Sequence, residues 1–271
     1  MTTDDSSKAL RNLLREYVDA DQLSAAVDAV SSLTANRSSP ESTATIQGAV
    51  VDLGRQARCG FPEVIFGQGK PAGLIVDILR EQTAAGQLGF VTRLNEGDAR
   101  VVCEAFPHAK YNATAKTLSL ALPPAIERQA QGAVVSAGSC DAAVAQEAFD
   151  TLNWMQIPSV LIEDVGVAGP QRLLSHVPLL QSMQVIVCVA GMEAALPSVL
   201  GGHVNCPVIG VPTSVGYGAS LGGITALLSM LTCCASNVVT VNIDAGFRGG
   251  YVAGMMVAQA ERNCSQAESN G

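Results

Sequence analysis

Basic and aromatic residues are both scarce in this sequence, and each scarcity narrows the possible functions. Lys and Arg number 16 against 24 Asp and Glu, so the formal net charge is −8. Because binding to a nucleic-acid backbone depends on clustered Lys and Arg, we expect no nucleic-acid partner. Phe, Trp and Tyr together make up only 4% of the 271 residues. Small apolar residues dominate instead, which favours tight packing of helices on a sheet.

Charge of either sign is almost absent from residues 173–243, where Glu193 is the only Asp, Glu, Lys or Arg. No piece of this run offers the roughly 20 unbroken apolar residues that a bilayer-spanning helix needs, since Pro197, Pro207 and Pro212 interrupt it. We therefore expect no membrane partner, and we predict that the run lies in a buried α/β core extended by subunit contacts. A single carboxylate there is costly to ionise unless a ligand needs it, so Glu193 is a candidate catalytic residue.

Motifs for structural metal sites are also missing. Eight cysteines occur, but there is no CxxC and no Cys/His spacing typical of zinc. Several cysteines, such as Cys188 and Cys206, lie within apolar segments, which is typical of thiols packed in a core. The chain opens with no secretory signal, so we expect reduced thiols and a cytoplasmic location.

From Gly132 onward the pattern becomes strand, turn, helix, repeated. Such alternation is typical of a parallel sheet covered by helices on both faces. The predicted fold class is therefore α/β, with a three-layer, flavodoxin-like or Rossmann-like C-terminal core and a smaller α+β N-terminal domain. The predicted strands are Ala133–Ala137, Pro158–Ile162, Val185–Ala190, Val208–Val211 and Val238–Ile243, and the predicted helices are Asp141–Trp154, Pro170–Leu180, Ala194–Gly201, Gly218–Leu231 and Gly246–Glu261.

Changes in composition divide the chain into four parts. Apolar residues at helical spacing predict two short helices, Leu10–Val18 and Leu23–Leu33, before a Ser/Thr/Pro-rich connector. The double proline Pro123–Pro124 indicates a boundary between domains. The predicted parts are residues 1–45, the N-terminal helices and linker; 46–124, a small α+β domain; 125–262, the α/β domain; and 263–271, a polar, frayed tail.

Ligands of open parallel sheets bind beyond the carboxyl ends of the strands. Ser139 lies there in a turn that enters a helix, whose N-terminus favours a phosphate; the alternative is an ordinary N-cap by Ser139 or Asp141. The glycine-rich segment Pro212–Gly223 leads into another helix and is predicted to wrap a ligand, with flexible coil as the alternative. The candidate ligand-binding residues at these strand ends are Gly138, Ser139, Asp141, Asp164, Arg172, Gly191, Met192, Pro212, Thr213, Ser214, Gly216, Tyr217, Gly218 and Asp244.

Two further groups of residues have a chemical and a structural interpretation. Arg55, Arg58 and Lys70 are available to hold an anionic substrate, or they belong to a solvated turn between strands. Cys234 is a candidate nucleophile. The alternative is a packing residue, because no cation lies beside Cys234 in the sequence to lower the pKa of its thiol. We expect Cys234 to lie near the glycine-rich loops.

Three long motifs, VAGMEAALPSVLGG, PVIGVPTSVGYGASLGGITALLSMLTCCAS and VNIDAGFRGGY, resemble the pyridinium-3,5-biscarboxylic acid mononucleotide synthase family, known as LarB. The motifs SAGSCDAAVAQEA, EDVGVAGPQRLL and RQARCGFPEVIFGQGK extend the resemblance from Ala49 to Ala253. The C-terminal domain of that family is similar to aminoimidazole ribonucleotide carboxylase. In the carboxylase pattern a histidine precedes the Leu-Pro, whereas this chain has Ala195.

The resemblance implies an enzyme that carboxylates the pyridinium ring of nicotinic acid adenine dinucleotide at position 5 and releases AMP. This reaction begins the synthesis of the nickel-pincer nucleotide. By the family motifs, Cys234 is the nucleophile and Glu193 is a base or a substrate anchor. Carbon dioxide or bicarbonate is the implied co-substrate. No tightly bound cofactor is expected, Mg²⁺ is a candidate ion, and the residues that would hold a metal are unknown. The likeness to the carboxylase implies a homo-oligomer, an octamer.

Two other functions remain as alternatives. An aminoimidazole ribonucleotide carboxylase or mutase needs no thiol, so it would stay active after Cys234→Ala. A nucleotide-binding module without catalysis would bind the dinucleotide, but it would release no AMP and add no mass to the pyridinium ring.

Overall fold

The computed structural model of the chain describes residues 42–120 and 129–269. The helices predicted at Leu10–Val18 and Leu23–Leu33 and the boundary predicted at Pro123–Pro124 lie outside these residues. No helix of the two described ranges is long and apolar enough to cross a membrane.

The first described range folds around a four-stranded sheet, and we call residues 42–120 the small domain. Its sheet has the order β3-β4-β6-β5, with only β3 and β4 parallel, and β1 and β2 form a separate antiparallel pair. Ile75 and Leu79 of one helix, Val102 of another, and Val91 and Leu118 of the sheet share its core. The elements are β1 (Ala44–Ile46), β2 (Ala49–Val51), α1 (Arg55–Cys59), β3 (Ile65–Phe66), α2 (Ala72–Ala84), β4 (Phe90–Thr92), α3 (Glu96–Ala105), β5 (Lys110–Asn112) and β6 (Thr117–Ser119).

The sequence predicts neither α1 nor the strands β1 and β5. Helix α1 has five residues and none of them is buried, so it shows no apolar periodicity. Neither β1 nor β5 contains a buried residue, so neither has the apolar signal of a core strand. The other elements of the small domain match, to within a few residues, the strands that the sequence predicts at Ala49–Leu53, Val64–Phe66, Leu88–Leu94 and Thr117–Leu122 and the helices that it predicts at Pro71–Thr83 and Asn95–Phe106.

The second described range is a three-layer α/β domain, as the sequence predicts. Its five strands are all parallel, in the order β11-β10-β9-β7-β8. Helices α4 and α9 cover one face and α5 to α8 cover the other. The elements are β7 (Gly132–Ser136), α4 (Ala142–Trp154), β8 (Ser159–Ile162), α5 (Pro170–Leu174), α6 (Val177–Leu180), β9 (Val185–Ala190), α7 (Leu196–Gly201), β10 (Val208–Pro212), α8 (Ile224–Leu231), β11 (Val238–Thr240) and α9 (Gly246–Ser269).

The central strand β9 shows why this sheet needs an uncharged sequence. Val185, Val187 and Val189 point into the core under α4 and α9, whereas Ile186 and Cys188 point into the core on the other face. All six residues of the strand are buried, because successive side chains alternate between two covered faces. The burial of Cys188 and Cys206 confirms that these thiols are core residues, and each of the eight cysteines is a free thiol.

Three helical predictions are corrected by the structure. The segment Pro170–Leu180 is two short helices, because Pro178 has no N–H and in a continuous helix its ring would clash with the carbonyl of Leu174. The predicted helix Gly218–Leu231 is a 3₁₀ segment, residues 218–223, followed by α8, because Leu221, Gly222 and Gly223 have positive φ. The polar tail predicted from residue 263 is helical, since α9 continues to Ser269.

The small domain packs on the α/β domain through helix α4. The ring of Phe90 stacks on Trp154 with 5.3 Å between centroids, and the indole Nε1 of Trp154 donates to the carbonyl of Leu88 at 2.9 Å. Phe90 belongs to the same apolar cluster as α4 and α9. The two domains therefore share one core along this face.

Candidate active site

Five loops meet where the parallel strands end. Parallel strands place their carboxyl ends at one edge of a sheet, so the segments that follow β7 to β11 are brought together. Their backbones are hydrogen-bonded to each other: Thr213 N donates to Ala190 O at 3.0 Å, and Met192 N donates to Val215 O at 3.0 Å. We call these segments, residues 137–141, 163–169, 191–195, 213–223 and 241–245, the carboxyl-edge loops.

Asp141 ties two of the carboxyl-edge loops together. Its side chain is buried, one oxygen accepts from the hydroxyl of Thr213 at 2.7 Å, and the other accepts from the backbone N–H of Gly138 at 3.0 Å. Burial raises the pKa of the Asp141 carboxyl, and these two hydrogen bonds oppose the rise. Because both oxygens already have protein donors, Asp141 fixes the shape of the site, while Ser139 beside it is exposed.

Gly191 is required by a close approach of two loops. A Cβ at this position would lie 2.5 Å from the carbonyl oxygen of Val215 and 2.6 Å from the hydroxyl of Thr213. Real Cβ atoms do not approach backbone oxygens so closely, so only glycine lets these loops touch. Gly191, one of the candidate ligand-binding residues, thus has a packing role that explains its presence.

Backbone strain is concentrated in the carboxyl-edge loops. A non-glycine residue with positive φ is uncommon and costs free energy, and such residues cluster at functional sites. Among the described residues with this geometry, Asp164, Met192, Ala194, Leu221 and Asp244 all lie in these loops. Their strain indicates that the loop shapes are selected for something other than stability.

Asp244 anchors the loop after β10. Its side-chain oxygen Oδ1 accepts from the backbone N–H of Ser214 at 2.8 Å, and its own N–H donates to the carbonyl of Pro212 at 2.8 Å. The carbonyl of Asp244 accepts from the guanidinium of Arg93, a residue of the small domain. The hydroxyl-bearing residue Ser214 and the ring of Tyr217, which is 80% exposed, are left facing solvent.

Glu193 lies in the carboxyl-edge loops but is exposed. The sequence predicts an acid enclosed by apolar residues, and the single folded chain does not enclose it. The turn around it is tight, because Ala194 N donates to Gly191 O at 2.9 Å and helix α7 begins at Leu196. Its carboxylate is therefore free to meet a ligand or a second chain.

Cys234 lies at the opposite edge of the sheet from the position that the sequence predicts. It follows α8 and precedes β11, so it is at the amino ends of the strands rather than beside the glycine-rich loops. Its exposed Sγ is 3.9 Å from the hydroxyl of Ser198 in α7. Within one chain the structure thus brings Cys234 to α7, and it does not bring Cys234 to Ser139 or Thr213.

The candidate cations fall into two groups. Arg172 lies at the carboxyl edge, where its Nη1 pairs with Asp164 at 2.9 Å and both side chains are partly exposed. In the small domain, Arg58 pairs with Asp52 at 2.6 Å, and Lys70 donates to the carbonyl of Phe66 at 3.1 Å.

Helix α1, which carries Arg55 and Arg58, ends along the length of α9. Its C-cap residue Gly60 has its Cβ position 4.0 Å from the guanidinium of Arg262, and the ring of Phe61 is 5.8 Å from that of Tyr251. At 1.5 Å per residue, Tyr251 and Arg262 lie about 8 and 24 Å beyond the start of α9. The structure therefore does not bring α1 to the carboxyl-edge loops of the same chain.

Arg93 and Glu147 are site residues that the sequence did not reveal. Glu147 is a buried acid on the face of α4 that also carries Ala148 and Thr151. The sequence does indicate that Glu147 is an acid at a core position of an amphipathic helix. It does not indicate that the partner of Glu147 is Arg93, because Arg93 lies far away in the chain and in the other domain. Among the described residues no group of three His, Cys, Asp or Glu could hold a metal ion, so no residue is assigned as a metal ligand.

Comparisons with known proteins identify the same two domains. The family model described as LarB/PurE-like N-terminal domain matches residues 43–122, and the AIR carboxylase model matches residues 132–269. An uncharacterized protein of Methanocaldococcus jannaschii is 36% identical over 214 residues, which cover 76% of this chain and 82% of that protein.

More distant matches cover about half of the chain. A probable N5-carboxyaminoimidazole ribonucleotide mutase of Methanothermobacter thermautotrophicus is 27% identical over 131 residues, or 46% of this chain and 37% of that protein. A crystal structure of a substituted form of Treponema denticola PurE2 covers 53% of this chain and 92% of its own, with 18% identity and a TM-score of 0.41. The domain matches support a function among carboxylase and mutase enzymes.

Proposed function

Because the chain belongs to the LarB family, we propose that it carboxylates the pyridinium ring of nicotinic acid adenine dinucleotide at position 5 and cleaves the phosphoanhydride. The products are pyridinium-3,5-biscarboxylic acid mononucleotide and AMP. The observation that carries the proposal is the exposed, free thiol of Cys234 beside α7, in a chain where both domains match the family.

A thiol is the group that this chemistry needs. A pyridinium ring is electron-poor and does not attack carbon dioxide. Addition of the Cys234 thiolate at ring position 4 gives an enamine-like dihydropyridine, whose position 5 is nucleophilic and forms the new bond to carbon dioxide. A base then removes the proton from position 5, and the thiolate leaves as the ring becomes aromatic again. One water molecule is consumed in cleaving the anhydride.

Helix α7 connects the two residues that the mechanism requires. Ser198, the neighbour of Cys234, lies in this helix, and Glu193 lies just before it. Ser198 is five positions after Glu193 in the chain, so their Cα atoms are at most about 18 Å apart. We place the pyridinium ring between Cys234 and Glu193, where the carboxylate acts as the base or holds the substrate.

The other half of the dinucleotide is assigned to the carboxyl-edge loops. These loops offer exposed hydroxyl-bearing residues at Ser139 and Ser214, the exposed ring of Tyr217, and the cation of Arg172. Hydroxyls and a guanidinium are suitable donors to phosphate oxygens, and the aromatic ring offers a surface for the adenine base. A long substrate thus accounts for the separation of Cys234 from the glycine-rich loops.

A homo-oligomer is part of this proposal. Leu221 of the 3₁₀ segment and Ile224, Leu228 and Leu231 of α8, the helix that adjoins Cys234, are 43% to 67% exposed. A contiguous exposed apolar stripe of this kind is typical of a protein–protein interface. A second copy of the chain covering this stripe would also enclose Glu193 and Cys234 and exclude water from the ring.

The direct test is to incubate the protein with nicotinic acid adenine dinucleotide, bicarbonate and Mg²⁺ and to identify the products by mass spectrometry. We expect AMP together with a mononucleotide that carries one added carboxyl group, and heavy-carbon bicarbonate should label that group. Cys234→Ser should abolish the labelled product, because an alcohol is a far weaker nucleophile than a thiolate.

Cys233→Ser is the matched control, since it makes the same change one residue away and should leave the product in place. A Cys234→Ser protein that still forms the dicarboxylated mononucleotide would exclude the thiol mechanism. Turnover of aminoimidazole ribonucleotide by this variant would instead support the carboxylase or mutase function. Binding of the dinucleotide without any AMP would support a non-catalytic module.

A further inference from the structure

A partly buried ion pair joins the small domain to helix α4 of the α/β domain. Arg93 follows β4 in the small domain, and its Nε donates to Glu147 Oε1 at 3.0 Å while its Nη2 donates to Glu147 Oε2 at 3.3 Å. The Glu147 side chain is 3% exposed and that of Arg93 is 37% exposed. The fork-to-fork geometry is specific to a guanidinium, because a lysine ammonium cannot make both bonds in parallel.

The same carboxylate also holds the start of helix α9. The backbone N–H groups of Gly246 and Phe247 donate to Glu147, and burial raises the pKa of the Glu147 carboxyl while Arg93 and these N–H groups lower it. A Cβ on Gly246 would lie 2.3 Å from the carbonyl of Val144, so α9 starts pressed against α4. Glu147 therefore fixes where the last carboxyl-edge loop ends.

Arg93 reaches the loop itself as well. Its Nη2 donates to the carbonyl of Asp244, whose side chain accepts from the N–H of Ser214. Both Arg93 and Asp244 have positive φ, so each is held in a strained backbone conformation by these contacts. The chain of hydrogen bonds runs from the small domain through Arg93 and Asp244 to the loop that carries Ser214 and Tyr217.

We propose that Arg93 is a positioning residue: it holds the loops at residues 213–218 and 244–247 in the substrate-binding shape, so that the small domain sets the affinity of the site. This inference rests on the proposed function for the identity of the substrate. The hydrogen bonds from Arg93 to the loops are a property of the folded chain, and this part of the inference holds whatever the substrate is. Arg93 touches neither Cys234 nor Glu193, so its effect is on binding rather than on the chemical step.

The test compares Arg93→Lys with the matched control Arg100→Lys. Arg100 makes an exposed pair with Glu96 in the same domain, and such pairs contribute little. Lysine cannot keep the parallel charge-assisted hydrogen bonds that the guanidinium makes. Arg93→Lys should therefore raise KM for the dinucleotide about tenfold, while kcat stays within about threefold. Hydrogen exchange of the backbone amides in residues 213–218 and 244–247 should accelerate about tenfold, with the rest of the chain unchanged.

A second variant separates positioning from folding. Arg93→Gly suits the positive φ and leaves room for a free guanidinium ion, which should restore slow exchange in residues 213–218 at low millimolar concentration. Unchanged exchange in these loops, exchange raised equally throughout the chain, or an unchanged KM would overturn the role of Arg93. An inactive wild-type protein would count against the proposed function alone, because the exchange measurements still decide the link.

Discussion

At the scale of single residues, two buried carboxyls and one partly buried carboxyl organise this molecule. Asp141 joins two carboxyl-edge loops, Glu147 joins α4 to α9 and to Arg93, and Asp150 joins α4 to the small domain. Burial raises the pKa of each carboxyl, and hydrogen bonds only partly oppose that rise. These acids therefore determine the relative placement of loops and domains while making the folded state sensitive to pH.

Asp150→Asn should remove one part of that pH dependence. The folded pKa of Asp150 is raised above its ordinary value of 3.8, so the folded state holds its proton more tightly than the unfolded state does. The contribution of this group to the free energy of unfolding therefore falls as pH rises from 3.8 through the raised value.

Asparagine does not ionise and can still receive a hydrogen bond from Thr117. The difference in unfolding free energy, wild type minus Asp150→Asn, should therefore become smaller as pH rises, measured by urea denaturation between about pH 4 and about pH 7. A difference that stays constant or grows with pH would contradict the raised pKa. Asp77→Asn, at an exposed helix position, is the control substitution.

At the scale of elements, helices α4 and α9 approach closely because glycines on α9 face the backbone of α4. A Cβ on Gly246 would lie 2.3 Å from the carbonyl of Val144, and one on Gly250 would lie 2.5 Å from that of Ala148. The next residue of this stripe, Gly254, faces the side chain of Met155. This spacing of four residues places the stripe on one side of the helix.

Gly250→Ala should separate the two helices and destabilise the fold by about 2 kcal/mol or more, because backbone atoms cannot yield as a flexible side chain does. Gly73→Ala in α2 is the matched control, since nothing lies within 4 Å of its Cβ position. Relief of glycine's helix penalty should make that control more stable by roughly 0.5–1 kcal/mol. Thermal unfolding of both variants checks the prediction, and equal stability would refute it.

The elements also show what a sequence can and cannot predict. The repeated order of strand, turn and helix correctly predicted the five parallel strands, and β9 is a continuous apolar run because both faces of the sheet are covered. The position of Cys234 was wrong, although a strand predicted at Val238 already implied that the preceding residues lie at the amino edge. The contact of Arg93 with Glu147 joins residues 54 positions apart, and no local periodicity encodes such a pair.

At the scale of the whole molecule, the nearly uncharged run of residues 173–243 contributes to two parts of the structure. Part of it is the buried sheet, and part is the exposed stripe along α8. Burying a leucine fully is worth about 1.5–3 kcal/mol relative to leaving it in water. Several half-exposed leucines on one helix therefore favour association of chains.

Leu228→Lys should shift the protein to a smaller species without unfolding it, because Leu228 is 56% exposed and lysine is an equally good helix former. Light scattering after gel filtration measures the mass, and circular dichroism checks the helix content. Val101→Lys, at an exposed position of the small domain, should leave the mass unchanged. An unaltered mass for Leu228→Lys would show that α8 is not the interface.

The hydrogen bond between Arg93 and Asp244 couples the docking of the small domain to the shape of the carboxyl-edge loops. A ligand that prefers the loops in their bonded shape must, by linkage, strengthen the docking of the small domain by the same factor. Saturating the protein with its nucleotide should then slow proteolytic cleavage within residues 42–120. The rate of proteolysis therefore reports the fraction of protein that has bound the nucleotide, even before any reaction takes place.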